Sequence, residues 1–358
     1  MNLFVGDICR IQPAPLQIRN RTILQKYAAR QLPSAKLQAI SRGRYSVLNV
    51  STNGQASTTT SPSSTSTATT ATFNKVTHYP GLRGDDFRHP LDQQNTQLLR
   101  LLPGMEFLAR SVMSPATEQI LYLENISSGI KVGEDQLPSL HKSLVHAAGV
   151  LGMEVPELYV RQNPVPNAYT LAISGKQPFI VVHTALLDLL TPEEIQAVLA
   201  HELGHLKCDH GLYLTAANVL ALGTVSLLPW INRAVQEALT RWLRAAELTC
   251  DRAALLVAQD PRIVASALMK LAGGSAQLAQ ELNVEAFLRQ ARSYDEATST
   301  SLGWFLRNAQ NRALSHPLPV LRAREVDRWS TSPEFLALLN GGVKVKVDSG
   351  FVGAPAVI

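Results

Sequence analysis

The five residues His201-Glu202-Leu203-Gly204-His205 constrain this chain more than any other stretch. They lie inside a self-contained helix signature. Thr191 is a candidate N-cap, Pro192 takes the first helical position and Glu194 closes a capping box. Ile195, Val198, Leu199 and Leu206 then supply an apolar face at helical spacing. Two histidines four positions apart stack on one side of such a helix, and their imidazoles can reach one zinc ion at about 2.0–2.1 Å. Zinc lowers the pKa of a water in an open position toward about 7, so a carboxylate suffices as base near neutral pH. Glu202, beside the first histidine, is that carboxylate.

Two histidines need a third ligand. A histidine six residues beyond His205, with glycine at the third position, is one solution, but those positions hold Gly211 and Cys208. A glutamate from a later helix is the other, and Glu247-Leu-Thr-Cys-Asp251, on a helix read from about Ala234 to Ala258, fits it. Glu247 can ligate. Asp251, one turn further along the same face, can accept an N–H from a ligating histidine and fix its tautomer. The expected centre is one Zn2+ per chain on His201, His205 and Glu247, with one position open, as in catalytic rather than structural zinc sites. Cys208 shares the histidine face and is a conceivable extra ligand, although a small buried apolar role suits it and Cys250 better. His210 reads as a helix C-terminal residue meeting the dipole.

Composition bears on the rest of the chain. The formal charge is +5, but residues 1–72 hold eight basic residues against the single acid Asp7. The remainder is close to neutral, which leaves no electrostatic case for a nucleic-acid partner. Residues 1–50, Arg-rich and acid-poor, have the composition of an organellar transit peptide. Ser and Thr fill 15 of the 22 positions from 51 to 72. Such a tract cannot bury enough apolar surface to order itself, so 51–84 reads as a disordered linker and the globular part as 85–330, with a loosely attached tail at 331–358.

Within 85–330, helices are read at Leu91–Leu102, Pro115–Glu124 and Glu134–Leu151. Short strands are read at Glu157–Arg161, Ala168–Ile173 and Pro178–Val182, with a hairpin near Ser174-Gly175, and the pattern is helical from Thr191 to about Arg312. Residues 211–232 carry no charge and are long enough to span a bilayer. His205 precedes and Glu247 follows this stretch, and both must touch one ion. The return would have to pass Arg233, Glu237, Arg241 and Arg244 through hydrocarbon, at a cost of ~2.5–3.5 kcal/mol for each arginine. The stretch is therefore read as a buried helix or as a flap lying on a lipid surface.

With these residues assembled, the sequence resembles the zinc metalloendopeptidases of the CAAX prenyl protease, HtpX and OMA type. The resemblance rests on His-Glu-Leu-Gly-His, Glu247-x-x-x-Asp251, and Ser315-His316-Pro317 with Arg322. Arg161–Leu187 and Arg241–Val257 are similar to the plastid branch found at plastoglobules. The resemblance implies an α+β, mostly helical zincin (gluzincin) fold with a small sheet beside the histidine helix. It implies that His316 stabilises the oxyanion, that Arg322 acts one layer behind the ligands or pairs with a carboxylate, and that Asn167, Ala168 and Tyr169 form the strand along which a polypeptide substrate lies. It also implies a chloroplast location, at plastoglobules or thylakoids, with the mitochondrion as the alternative. Two functions follow: a zinc endopeptidase using Glu202 as base, or a non-catalytic fold of the same type bound to a lipid surface. No signature for a free amine supports an aminopeptidase.

Overall fold

The computed structural model describes residues 74–100, 123, 127–171, 177–211, 229–303 and 316–347. The leader, the Ser/Thr tract, nearly all of the helix read at Pro115–Glu124, the hairpin near Ser174-Gly175, most of 211–232, Ser315 and the end of the tail lie outside the described residues. The chain divides into two compact units, and all described residues belong to the one that includes Thr72–Ile358.

The described chain begins with β1 (Asn74–His78), α1 (Gly84–Phe87) and α2 (Pro90–Arg100), followed by β2 (Ile130–Lys131) and α3 (Pro138–Leu151). Strands β3 (Glu157–Arg161), β4 (Ala168–Leu171) and β5 (Phe179–His183) come next, then α4 (Thr184–Leu189) and α5 (Pro192–Lys207). The rest is α6 (Pro229–Ala258), α7 (Pro261–Gly273), α8 (Val284–Ala297), α9 (Pro319–Ser330), α10 (Pro333–Gly341) and β6 (Val343–Val347). This is the mostly helical α+β arrangement the sequence implies. The helix read from Glu134 starts instead at Pro138, because Leu137 adopts a left-handed φ of 59° and Pro138 takes the first helical position. It ends at Gly152, whose φ of 61° is the left-handed cap that glycine adopts without strain.

Helix α5 lies at the centre. Its capping box is formed: Glu194 N–H donates to Thr191 Oγ1 at 3.4 Å, and Thr191 N–H donates to the Glu194 carboxylate at 2.8 Å. Glu194 is buried, and it also accepts from Ser266 Oγ at 2.6 Å and Lys270 Nζ at 2.7 Å on α7. Those partners satisfy a charge that burial would otherwise penalise, and they lock the start of α5 to α7. Leu199 and Leu203 are fully buried, each contributing about 1.5–3 kcal/mol.

Gly204 lets α6 approach almost to backbone contact. A Cβ there would stand 2.9 Å from Ala253 Cβ and 3.1 Å from the Cys250 Cα. This crossing is what carries Glu247 and Asp251 over the histidines of α5. Gly204→Ala is expected to cost about 1–3 kcal/mol through overpacking, read from denaturant unfolding, and a cost below ~0.5 kcal/mol would show the crossing to be slack.

The four-stranded sheet has the order β2-β3-β5-β4. Strand β5, buried along its length, pairs in parallel with β3 and antiparallel with β4. Strand β4 lies beside α5 and is the terminal strand on that side of the sheet among the described residues.

The boundaries 85 and 330 need correction, because the fold closes outside them. β1 pairs antiparallel with β6, from Asn74↔Val347 to His78↔Val343. The left-handed Gln259 clamps β1 with its carboxamide, accepting from Thr77 N at 3.2 Å and donating to Thr77 O at 2.8 Å. Phe335 of α10 is buried against Trp329, with ring centroids 5.0 Å apart. Neither short strand can stand alone, so their pairing, with these two anchors, orders segments that read locally as linker and tail. Among the described residues no helix is long and apolar enough to cross a membrane.

Candidate metal centre

His201 and His205 share one face of α5, with ring centroids 5.1 Å apart. Glu247 comes down from α6 between them. Its Oε2 is 3.5 Å from His201 Nε2 and its Oε1 is 3.4 Å from His205 Nε2. Donor atoms bonded to a tetrahedral ion at about 2.0–2.1 Å lie roughly 3.3 Å from one another. Each Glu247 oxygen stands near that separation from one of the two imidazoles, which suits a buried carboxylate shared with a small cation.

Behind His201 stands Asp251, accepting from His201 Nδ1 at 3.1 Å. Arg322 of α9 grips Asp251 with two parallel bonds, Nε to Oδ2 at 2.8 Å and Nη2 to Oδ1 at 2.6 Å. Its Nη1 reaches Glu247 Oε2 at 3.3 Å. One guanidinium thus orders both carboxylates in the planar geometry that suits it. Burial alone would raise Asp251, but the Arg322 charge and the hydrogen bonds outweigh it and hold it below the usual carboxylate range. Burial likewise opposes Glu247, and the His316 charge with the bonds from His201 and His205 keeps it well below its ordinary value. Burial pulls His201 down, yet its bonds to Asp251 and Glu247 prevail and hold it at about 9 when no cation is present.

Glu202 points toward β4 and is buried. Thr170 Oγ1 donates to its Oε2 at 2.8 Å, which fixes one carboxylate oxygen against the edge strand. Asn167 is exposed and its carbonyl accepts from His183 N at 2.9 Å; Ala168 and Tyr169 pair with Val182 and Val181 of β5. His316, just before α9, reaches the centre through Glu247: its Nδ1 lies 3.0 Å from Oε2, and 58% of its side chain is exposed.

His210 requires a correction. It does not cap α5 toward solvent. Asp209, at a φ of 55°, ends the helix and turns the chain back, so His210 is buried with its Nδ1 3.1 Å from His205 Nδ1. Burial pulls His210 down to about 4 despite its bond to Asp92. Thr170 and Asp92, which the sequence reading did not name, and His210, which it read only as a helix end, thus lie against these residues. Cys208 caps α5 with its sulfur against Gly84, and burial pushes its thiol up to about 12. Cys250, not Cys208, is the cysteine gathered with both histidines, the candidate ligand atoms of the three lying within 4.8 Å of one another.

Residues 134–330 match the model of a protein family described as Peptidase family M48. The protein named plastoglobule-localized metallopeptidase 48, chloroplastic, of Arabidopsis thaliana is 62% identical over 264 residues, which are 73% of this chain and 77% of that protein. The chain belongs to peptidase family M48. This M48 peptidase is also 30% identical over 172 residues to protease HtpX homolog 2 of Methanosarcina acetivorans, spanning 40% of this chain and 58% of the archaeal one. Among solved structures it is similar to S. mikatae Ste24p, with 19% identity, a TM-score of 0.38, and coverage of 66% of this chain and 62% of that one. The family resemblance read from the sequence is borne out, and this M48 chain is a metallopeptidase, an enzyme whose substrates are polypeptides.

Proposed function

We propose that this chain is a zinc-dependent endopeptidase in which His201, His205 and Glu247 hold the ion and Glu202 is the general base. The observation that carries this reading is the convergence of the Glu247 oxygens to 3.4 and 3.5 Å from the two Nε2 atoms, with Glu202 one residue from His201. Zinc, when bound there, supplies Lewis-acid polarisation of the scissile carbonyl and lowers the pKa of water.

The chain's own residues do the rest. Thr170 holds one oxygen of Glu202, leaving the other to take a proton from the attacking water and later to pass it to the leaving amine. Asp251, held in place by Arg322, keeps His201 in the tautomer that offers Nε2. β4, the last strand on its side of the sheet among the described residues, receives an extended peptide as an added strand, with Asn167, Ala168 and Tyr169 along it. His316, held at the rim by Glu247, is the donor we assign to the developing oxyanion.

The leader 1–50 is proposed as a transit peptide and the chloroplast as the compartment, which the name of the Arabidopsis relative supports. Contact of 211–232 with a lipid surface belongs to the same proposal. The test is digestion of a peptide library with and without a zinc chelator. Internal cleavage should stop on chelation and return on adding Zn2+. Cleavage that persists without metal overturns the reading, and lipid-particle binding with no cleavage at all favours the scaffold instead.

A further inference from the structure

We propose that His210 is a positioning residue of the metal centre: a buried relay from His205 through His210 to Asp92 fixes the His205 tautomer from the amino-terminal helix α2. The proposal rests on His201, His205 and Glu247 being the ligands. His205 turns Nε2 toward Glu247 at 3.4 Å and Nδ1 toward His210 Nδ1 at 3.1 Å. Two nitrogens that close share one hydrogen, so one donates and the other accepts. A histidine that ligates through Nε2 keeps its proton on Nδ1, which makes His210 Nδ1 the acceptor. His210 must then carry its proton on Nε2, and Nε2 lies 3.0 Å from Asp92 Oδ2, an atom that can only accept. Arg88 Nη1, 3.3 Å from the same Nε2, is also only a donor; its hydrogen goes to Asp92 Oδ2 at 3.1 Å, and with that assignment the two ends of the relay demand the same tautomer. Cys250 Sγ packs beside the same nitrogen, 3.6 Å from His210 Nδ1.

Asp92 is an unusually firm anchor. It is fully buried and accepts from Trp242 Nε1 at 3.1 Å, Thr96 Oγ1 at 2.9 Å and Thr249 Oγ1 at 2.7 Å as well as from His210. Arg88 Nη1, 3.1 Å from Asp92 Oδ2, supplies the counter-charge, so the imidazole need carry none. Arg88 also donates to the Cys208 carbonyl at 3.2 Å, pinning the turn that presents His210. Both Arg88 and Asp92 lie outside the segment 134–330 that matches the family model. The centre is therefore asymmetric: His201 leans directly on a carboxylate, whereas His205 leans on a neutral imidazole whose anchor comes from the amino-terminal part of the fold.

The test measures Zn2+ affinity by competition with a chromogenic chelator on the full chain, for wild type, His210→Gln and His210→Asn. The Gln Nε2 replaces the nitrogen that faces Asp92 but offers nothing to His205. The Asn Oδ1 replaces the acceptor that faces His205 but not the donor to Asp92. The relay predicts that His210→Gln weakens Zn2+ binding about 10–100-fold with the metal-free melting temperature nearly unchanged, while His210→Asn keeps most of the affinity. A His210 that merely fills and anchors the core predicts the reverse order, and that order, or equal affinities, overturns the proposal. Wild type that binds no Zn2+ overturns the ligand reading and the relay together. If the variants do not fold, the 15N spectrum of zinc-loaded wild type decides. Bare Nδ1 and protonated Nε2 at His210 support the relay, and a protonated His210 Nδ1 refutes it.

Discussion

Glu202→Gln is expected to lower kcat/KM by about 10²–10⁴-fold while the metal content stays at the wild-type level. The substitution is nearly isosteric. The glutamine carbonyl can still accept from Thr170, which donates at 2.8 Å, so the edge strand and α5 keep their places. Glu202 lies on the strand side of α5, and the atoms that converge for metal belong to His201, His205 and Glu247. What is removed is the ability to take and return a proton, a step worth roughly 3–5 kcal/mol of barrier for a loss of that size. The measurement is a peptide-cleavage assay paired with metal analysis on the same preparation. A variant that retains more than about a tenth of the wild-type rate removes Glu202 from the role of base. A variant that loses its metal shows instead that Glu202 belongs among the ligands.

The parts of this centre that could be read in advance are those whose logic is local. The capping box, the apolar stripe and the four-residue histidine spacing of α5 all lie within one short segment, and each has a direct physical signature. Glu247 and Asp251 could be placed because a two-histidine site needs one more donor and helical spacing puts an acid one turn beyond it. His210 could not. In an unbroken helix the fifth residue after His205 lies well away from its face, and only the left-handed turn at Asp209 swings it back. Asp92 gives no signal at all, since a lone acid on an amphipathic helix reads as solvated.

Thr170 fails for a related reason. All four residues of β4 are half-buried, so no alternation shows which of them faces α5. At the ends of the fold a signal does exist: Val343-Lys344-Val345-Lys346-Val347 alternates as a strand should. Its partner, however, is at the opposite end of the folded segment, and pairing over such a separation leaves no trace in either stretch alone. What stays hidden from sequence here is what depends on two distant segments meeting.

Arg322→Met is expected to destabilise the metal-free protein by about 3–5 kcal/mol at neutral pH, the usual effect of stripping the cation from a buried ionic cluster. Arg322 faces both Asp251, at 2.6 and 2.8 Å, and Glu247, at 3.3 Å, with a charge that does not depend on pH in this range. Methionine fills a similar space, so the loss comes from leaving buried carboxylates short of positive charge rather than from a cavity. The pH dependence follows from the direction of the shifts. Both carboxylates are held below their ordinary range in the folded protein, so their contribution is complete above the unfolded carboxylate pKa, near 4, and is lost as pH falls through the lowered values. Without the guanidinium, burial drives Asp251 up, and the folded variant takes up a proton more readily than the folded parent. Acidification therefore relieves the variant first, and the stability gap between the two proteins should narrow from pH 7 toward pH 4. Thermal unfolding of both proteins in chelator across that range measures it. A gap under about 1 kcal/mol at neutral pH would mean that His201 and His316 balance the carboxylates by themselves, and a gap that widens in acid would mean that Arg322 acts through packing and not through charge.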